Sequence, residues 1–259
     1  MNSKKDWAIK IFNKSPLKQR KYNVIKSLLG DYSNKTCLDI GSDNGVISYC
    51  LRREGGTWYS ADLIQETVNL IKELVETNVF EVNDEEKFPF ENEMFDVVVI
   101  VDFLEHIHDD KFVIEELSRI LKKGGQLIIN APNPVNGVVR FLKFKTGQTD
   151  EAHGHVRAGY NLKEIKDLTL NDFEIISFKK YARCFSDFID FLIIFALRKL
   201  QKNRDTKKGT VVSGDDLNKF KKSFKLYSLI YPLLKLFVYL DALFFFLPAN
   251  MLTVKLRKK

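Results

Sequence analysis

The chain has 259 residues, enough for one large domain, with or without an appendage, and a real core. Its 41 Lys and Arg against 34 Asp and Glu give a formal charge of +7, which points to an anionic partner, either nucleic acid or a membrane surface. Three scattered cysteines (Cys37, Cys50, Cys184) exclude a disulfide framework and a zinc pattern and point to a reducing compartment, and the opening "MNSKKDWAIKIF" lacks the apolar core of a secretory signal.

Residues 1–35 read as polar helices, with Ser15 capping and Pro16 opening the second one. Then strands and helices alternate. "TCLDI" (36–40) is a strand and "GVISYCLRREG" (45–55) a helix. "TWYSADL" (57–63) is a second strand, "ETVNLIKELVE" a helix, and "VFEVN" (79–83) a third strand. "FDVVVIVDFL" (95–104) carries the continuous β-branched run of a buried parallel strand. An amphipathic helix is predicted over 112–125, ending on Gly, and a fifth strand from Gln126 to Asn133. "NLKEIKDLTL" is a helix and "FEIISFKKYA" (173–182) a sixth strand. Two apolar, aromatic-rich segments follow, 185–200 and 224–250, joined by a basic link, and 251–259 reads as one last strand. The alternation predicts an α/β, doubly wound sheet. Its parts are N-terminal helices (1–35), a core (36–184), a hydrophobic helical insertion between the last two strands (185–250) and the closing strand (251–259).

The turn "CLDIGSDNGVIS" is the chemical centre of this pattern. In an open parallel sheet, ligands bind beyond the carboxyl ends of the strands, where strand order reverses. Asp39 ends the first strand, Gly41 and Gly45 permit close approach of a ligand to the backbone, and the next helix presents its N-terminus. Asp62 ends strand two, where an acid can accept both hydroxyls of a ribose, and Asp84 follows strand three, within reach of an adenine edge. The glycines do not have the dinucleotide spacing. Asp39 and Asp43 would repel a pyrophosphate and suit a ligand carrying an ammonium group.

"LDIGSDNGVIS", "ADLIQETV", "NDEEKFPFENEMFDVVVIVDFLEHIHD" and "LSRILKKGGQLIINAPNP" closely resemble the successive motifs of class I S-adenosylmethionine-dependent methyltransferases, in order, over roughly residues 36–133. The resemblance implies a seven-stranded, Rossmann-like methyltransferase sheet with its last strand antiparallel, and S-adenosylmethionine as cofactor. It implies that Asp39, Gly41, Ser42 and Gly45 frame the methionine moiety, Asp62 binds the ribose, Leu63 packs on the adenine, and Asp84 with Glu85 lines its edge. Asp102 would face the methyl-transfer site.

The four histidines fall on two connections that leave the carboxyl edge of the sheet: His106 and His108 after strand four, His153 and His155 after strand five. If the acceptor is a hydroxyl, a general base helps, and His106 and His155 are the candidates, unranked. His108 reads as a surface residue. Asp102, Glu105 and His106 form an acid-x-x-Glu-His pattern similar to one associated with metal dependence in the ubiquinone-biosynthesis O-methyltransferases. There the first acid is typically Glu, and "LEH" is common in methyltransferases that bind no metal, so none is expected here. "HVRAGYNLKEIKDL" resembles a segment seen in many of these enzymes, which would turn His153, His155, Arg157 and Tyr160 toward the acceptor. The alternative for Arg157 is a bridge between lid and sheet.

Segment 224–250 exceeds the roughly 20 apolar residues of a membrane span, but Pro232, Lys235 and Asp241 interrupt it, and a strand must return to the sheet directly after it. Two helices lying on a membrane surface are expected, flanked by Lys199, Lys202, Arg204, Lys207, Lys208, Lys219, Lys221 and Lys222; a cap over the site or a dimer interface is the alternative. The sequence thus predicts a cytoplasmic methyltransferase, peripheral at the inner membrane face, acting by O-methylation on a hydrophobic or lipid-linked acceptor, with an oligomer possible. A methyltransferase for a soluble small molecule and an inactive, membrane-associated module that only binds the cofactor are the rivals. A nucleic-acid substrate is not expected, because the basic residues cluster on the insertion.

Overall fold

The computed structural model describes residues 3–42, 44–135, 137–200 and 228–259. Asp43, the side chains of His153 and Lys199, and the basic residues from Lys202 to Lys222 lie outside the described residues. Two helices come first, α1 (Ser3–Asn13) and α2 (Pro16–Leu29). Ser15 caps α2 by accepting from the Lys18 N–H, and Pro16 loses nothing at the first turn, where its missing N–H would have no partner.

The core then runs β1 (Thr36–Ile40), α3 (Val46–Arg52), β2 (Thr57–Asp62), α4 (Gln65–Val75), β3 (Val79–Glu81), β4 (Phe95–Val101), α5 (Asp110–Ile120), β5 (Leu121–Pro132), α6 (Val138–Lys145), α7 (Leu162–Thr169) and β6 (Phe173–Tyr181). Helices α8 (Cys184–Leu200) and α9, described over 228–240, precede β7 (Met251–Lys258). The sheet has seven strands in the order β3-β2-β1-β4-β5-β7-β6. Only β7 runs against its neighbours, antiparallel to both β5 and β6. Strand order reverses between β1 and β4, so their carboxyl ends frame the crevice where ligands bind in such sheets.

Both faces of the central strands are covered, which is why β4 reads as an unbroken apolar run. Val97, Val99 and Val101 pack with Ile25, Leu29 and Leu51 on one side; Val98 and Ile100 pack with Val113, Leu117 and Ile165 on the other. Each such side chain contributes roughly 1.5–3 kcal/mol by leaving water.

The largest boundary difference from the sequence expectation lies between α5 and β5. The helix expected over 112–125 stops at Ile120, and β5 begins at Leu121 rather than Gln126. Leu121 is fully buried and pairs with Phe95 of β4. Burial against the sheet outweighs the helical periodicity that continues through "LKK".

In chain order α8 and α9 follow β6 and precede β7. Asp241, which interrupts the apolar run, is buried and accepts from the backbone N–H groups of Arg183, Phe185 and Ser186 at 2.8, 3.0 and 3.2 Å. Its carboxylate thereby caps the start of α8 from the far end of α9. Phe185 packs its ring on Phe237 and Phe244, and Lys143 of α6 bonds Asp187 and Asp190 of α8 at 2.7 and 2.8 Å. Among the described residues, no helix is long and apolar enough to cross a membrane.

Candidate functional site

The site is built at the carboxyl ends of β1, β2 and β4. Gly41 has φ +77°, and a Cβ there would lie 2.6 Å from the Val101 carbonyl oxygen and 2.9 Å from Phe103 Cβ. Gly45 has φ +75°, and its Cβ would lie 2.9 Å from the Ile71 Cα. Both glycines are therefore demanded by handedness and by close backbone approach. The space a side chain would need is filled by the Val101–Phe103 segment at Gly41 and by Ile71 at Gly45, so the turn packs directly on β4 and α4.

Asp39 and Ser42 brace this turn from beneath. Asp39 is fully buried, and its carboxylate accepts from the hydroxyls of Ser42, Ser48 and Ser60. Arg52 donates to Ser60 behind it at 2.9 Å. Burial pushes the Asp39 carboxyl above its usual range, although the three hydroxyls and Arg52 oppose the shift. The expectation that Asp39 repels or attracts a ligand directly gives way to a bracing role, because serines enclose it.

Asp62 closes β2, with Oδ1 accepting from the Ile64 N–H at 3.2 Å, and Leu63 packs on the core. The backbone of Val82 bonds the Asp62 carbonyl at 3.0 Å, which brings the segment after β3 alongside. Asp84 and Glu85 follow there, in a turn held by the Asn83 side chain accepting from the Glu85 N–H. These residues share one rim of the crevice.

Asp102 sits just past β4 with φ +47°, a left-handed conformation that costs a non-glycine residue free energy. Its carboxylate bonds the Lys21 ammonium of α2 and accepts from Asn130 Nδ2 at 2.9 Å. Asn130, buried on β5, accepts in turn from the Tyr181 and Thr253 hydroxyls at 2.7 and 2.8 Å. Burial first, and the nearby Asp102 charge second, raise the Tyr181 hydroxyl well above its ordinary value, so it stays a donor. Lys21 is a site residue that sequence reasoning missed. On α2 it looks like any solvated lysine, and only the packing of α2 against the sheet brings it to Asp102.

The two connections that carry the histidines do meet. His106 and His155 pack edge to face with ring centroids 4.8 Å apart. His106 Nδ1 donates to the Gly154 carbonyl at 2.9 Å. A carbonyl only accepts, so this bond fixes the proton on Nδ1, and in the neutral ring Nε2 carries the lone pair. The buried Glu105 joins the pair, and the donor atoms of Glu105, His106 and His155 all lie within 4.8 Å of one another. One carboxylate and two imidazoles form a set that a divalent cation can also occupy. Asp102, the first acid of the acid-x-x-Glu-His pattern, is engaged elsewhere.

Arg157 and Tyr160 are both engaged by Asp110 at the start of α5. Arg157 forms an ion pair with Asp110 and donates to the carbonyls of Ile107 and His108 at 2.8 and 3.1 Å. Tyr160 is buried, and its hydroxyl donates to Asp110 at 2.7 Å. Burial, then the bond to Asp110, raises that hydroxyl's pKa. The carboxylate at the start of α5 thus pulls both side chains into a clamp, and the bridge is the arrangement observed for Arg157. His108 is exposed, as expected for a surface residue.

The sequence pattern of the family described as "Methyltransferase domain" matches residues 38–129. Among curated proteins, the ubiquinone biosynthesis O-methyltransferase of Klebsiella pneumoniae (strain 342) is 24% identical over 160 residues, covering 57% of this chain and 66% of that protein. The protein of the same name from Pelagibacter ubique is 28% identical over 130 residues, covering 47% and 54%. The chain thus spans half to two thirds of the length of these curated relatives. Among solved structures, phosphoethanolamine N-methyltransferase 2 of Haemonchus contortus, in complex with S-adenosyl-L-methionine, superimposes with a TM-score of 0.57 at 18% identity. That match covers 93% of this chain and 52% of the other and reports on the fold. Residues 38–129 thus match a methyltransferase domain, and the seven-stranded fold is shared with a methyltransferase solved in complex with S-adenosyl-L-methionine.

Proposed function

We propose that this chain methylates a hydroxyl of a hydrophobic or lipid-linked acceptor at a membrane surface. The observation that carries the reading is His106, held by Gly154 in the tautomer whose Nε2 accepts a proton. A base placed in this way contributes roughly 10²–10⁴-fold to such a reaction. His155 packs against His106 and fixes its ring plane, and we assign His153 to the acceptor side. Arg157 and Tyr160 act by clamping the segment that carries His155.

The methionine moiety of the cofactor is assigned to Gly41 and Gly45, with Asp39 and Ser42 bracing the turn. Lys21 offsets the Asp102 charge at a mouth rich in acids, which lowers the repulsion an incoming α-carboxylate would meet. Asp62 takes the ribose, Leu63 the adenine face, and Asp84 and Glu85 its edge. Bound there, the cofactor supplies an electrophilic methyl group on a sulfonium. Asp102 is held in place by Lys21 and Asn130.

The name shared by the curated relatives supports O-methylation and a quinone-like phenol as acceptor. A membrane surface is supported by the insertion, which leaves Leu229, Leu233, Leu243, Phe245 and Phe246 exposed. The reading keeps the division into helices 1–35, core 36–184, insertion 185–250 and closing strand 251–259, and a peripheral position at the inner membrane face.

The test supplies methyl-labelled S-adenosylmethionine and a membrane extract to the protein, then partitions the products between organic solvent and water. Label is expected in the organic phase, with His106→Ala reducing it at least about a hundredfold while still binding the cofactor. Label confined to water-soluble products overturns the lipid acceptor. Cofactor binding without any transfer supports the inactive module, and full activity of His106→Ala overturns the base.

A further inference from the structure

One face of α9 is committed to the protein. Val238 and Asp241 are buried, Asp241 caps α8, and Phe237 packs on Phe185. The opposite stripe is not. Leu229 is 77% exposed, Leu233 and Leu236 continue it at helical spacing, and Leu243, Phe245 and Phe246 extend the apolar surface through the turns that follow, the two phenylalanines 75% and 69% exposed.

At the start of this stripe, α9 meets the N-terminal arm. The Tyr231 hydroxyl donates to Gln19 of α2 at 3.0 Å. Lys14, from the turn between α1 and α2, places its ammonium 4.9 Å from the Tyr231 ring centroid. Lys235 places its own 6.0 Å from the same ring and 5.9 Å from that of Tyr239. Among the described residues, neither ammonium forms an ion pair with a carboxylate. Two like charges gathered on one aromatic ring repel each other, and an anion beside them relieves that repulsion. Tyrosines and lysines edging an apolar stripe are the make-up of a helix lying in a bilayer interface.

We infer that Lys14 and Lys235, gathered around Tyr231, form the headgroup-binding edge of a docking surface for an anionic phospholipid bilayer, with the leucine and phenylalanine stripe entering the acyl region. This rests on the reading that the insertion meets a membrane. The stripe supplies binding to any bilayer; the lysine pair supplies the preference for negative charge. Because α2 also carries Lys21 to Asp102, this edge fixes how the mouth of the site is presented to the membrane.

Flotation of the full chain with vesicles of phosphatidylcholine alone, or of equal parts phosphatidylcholine and phosphatidylglycerol, tests the assignment. The Lys14→Gln/Lys235→Gln variant is compared with Lys111→Gln/Lys163→Gln, which loses the same charge from exposed positions elsewhere. Cofactor binding establishes that each is folded. The first variant is expected to bind the phosphatidylglycerol vesicles about thirtyfold more weakly, about fivefold per lysine, with binding to phosphatidylcholine unchanged. The second is expected to bind as wild type. Equal losses in both variants, or none in the first, overturn the lysine edge while leaving membrane docking intact. If wild type floats with neither vesicle, the membrane reading fails, and the edge with it.

Discussion

Lys21, in the second turn of α2, bonds the Asp102 carboxylate at the carboxyl end of β4, tying the N-terminal arm to the mouth of the cofactor site. Lys21→Met leaves a part-buried carboxylate without its ammonium and is expected to cost about 1–3 kcal/mol of stability. It should also weaken S-adenosylmethionine binding roughly tenfold, the worth of about 1.4 kcal/mol. Thermal unfolding and calorimetric titration measure the two effects separately. Lys21→Arg should recover most of both. Unchanged cofactor affinity in the Met variant would restrict Lys21 to holding the arm.

Arg157 binds one carboxylate and two carbonyls with its forked donors. Lys cannot reproduce that geometry while keeping the charge. Arg157→Lys is expected to lower kcat about tenfold with cofactor affinity unchanged, because the loosened segment carries His155 and not the glycine turn. A loss seen in KM for the acceptor alone would instead put Arg157 in contact with the acceptor.

Gly41 and Gly30 both have positive φ, but a Cβ on Gly30 meets open space whereas one on Gly41 strikes the Val101 carbonyl. Gly30→Ala should therefore cost only the backbone strain, about 1–2 kcal/mol. Gly41→Ala adds the clash and is expected to cost on the order of 3 kcal/mol or more and to abolish cofactor binding. Chemical denaturation of the pair separates the two contributions. Equal costs would show that the loop after β4 yields easily.

Asp39 gives a pH dependence with a definite sign. Its folded-state pKa is raised, so over the interval from the unfolded value, near ~4, up to the folded one, the native state binds more protons than the unfolded state. Stability attributable to Asp39 is therefore greatest in acid and declines as pH rises through that interval. Asp39→Asn removes this slope. Stability measured against pH should fall less steeply in the variant than in wild type; parallel curves would show that Asp39 titrates as it does when unfolded.

The sequence reading captures what depends on local pattern. β1 matches its predicted bounds, and the closing strand opens at Met251, where the apolar run ends. The pairing of His106 with His155 follows from topology, since both connections leave one edge of the sheet. Residues whose roles depend on a distant partner were not legible. Lys21 lies 81 positions from Asp102 and carries no local signature. Arg157 and Tyr160 lie in a segment that resembles an acceptor-facing one, yet Asp110 bonds both, and nothing in "HDDKF" marks that acid as their partner. Leu121 was misplaced because an amphipathic period and a buried strand start use the same residues.

β7 lies between β5 and β6, yet it follows both, and the whole insertion, in chain order. During synthesis both apolar segments therefore emerge before the strand that joins β6 to the rest of the sheet exists. Until β7 arrives, β5 and β6 present open edges beside exposed leucines and phenylalanines, a combination prone to self-association. A chaperone or bilayer that engages the apolar segments in that interval would act on assembly itself.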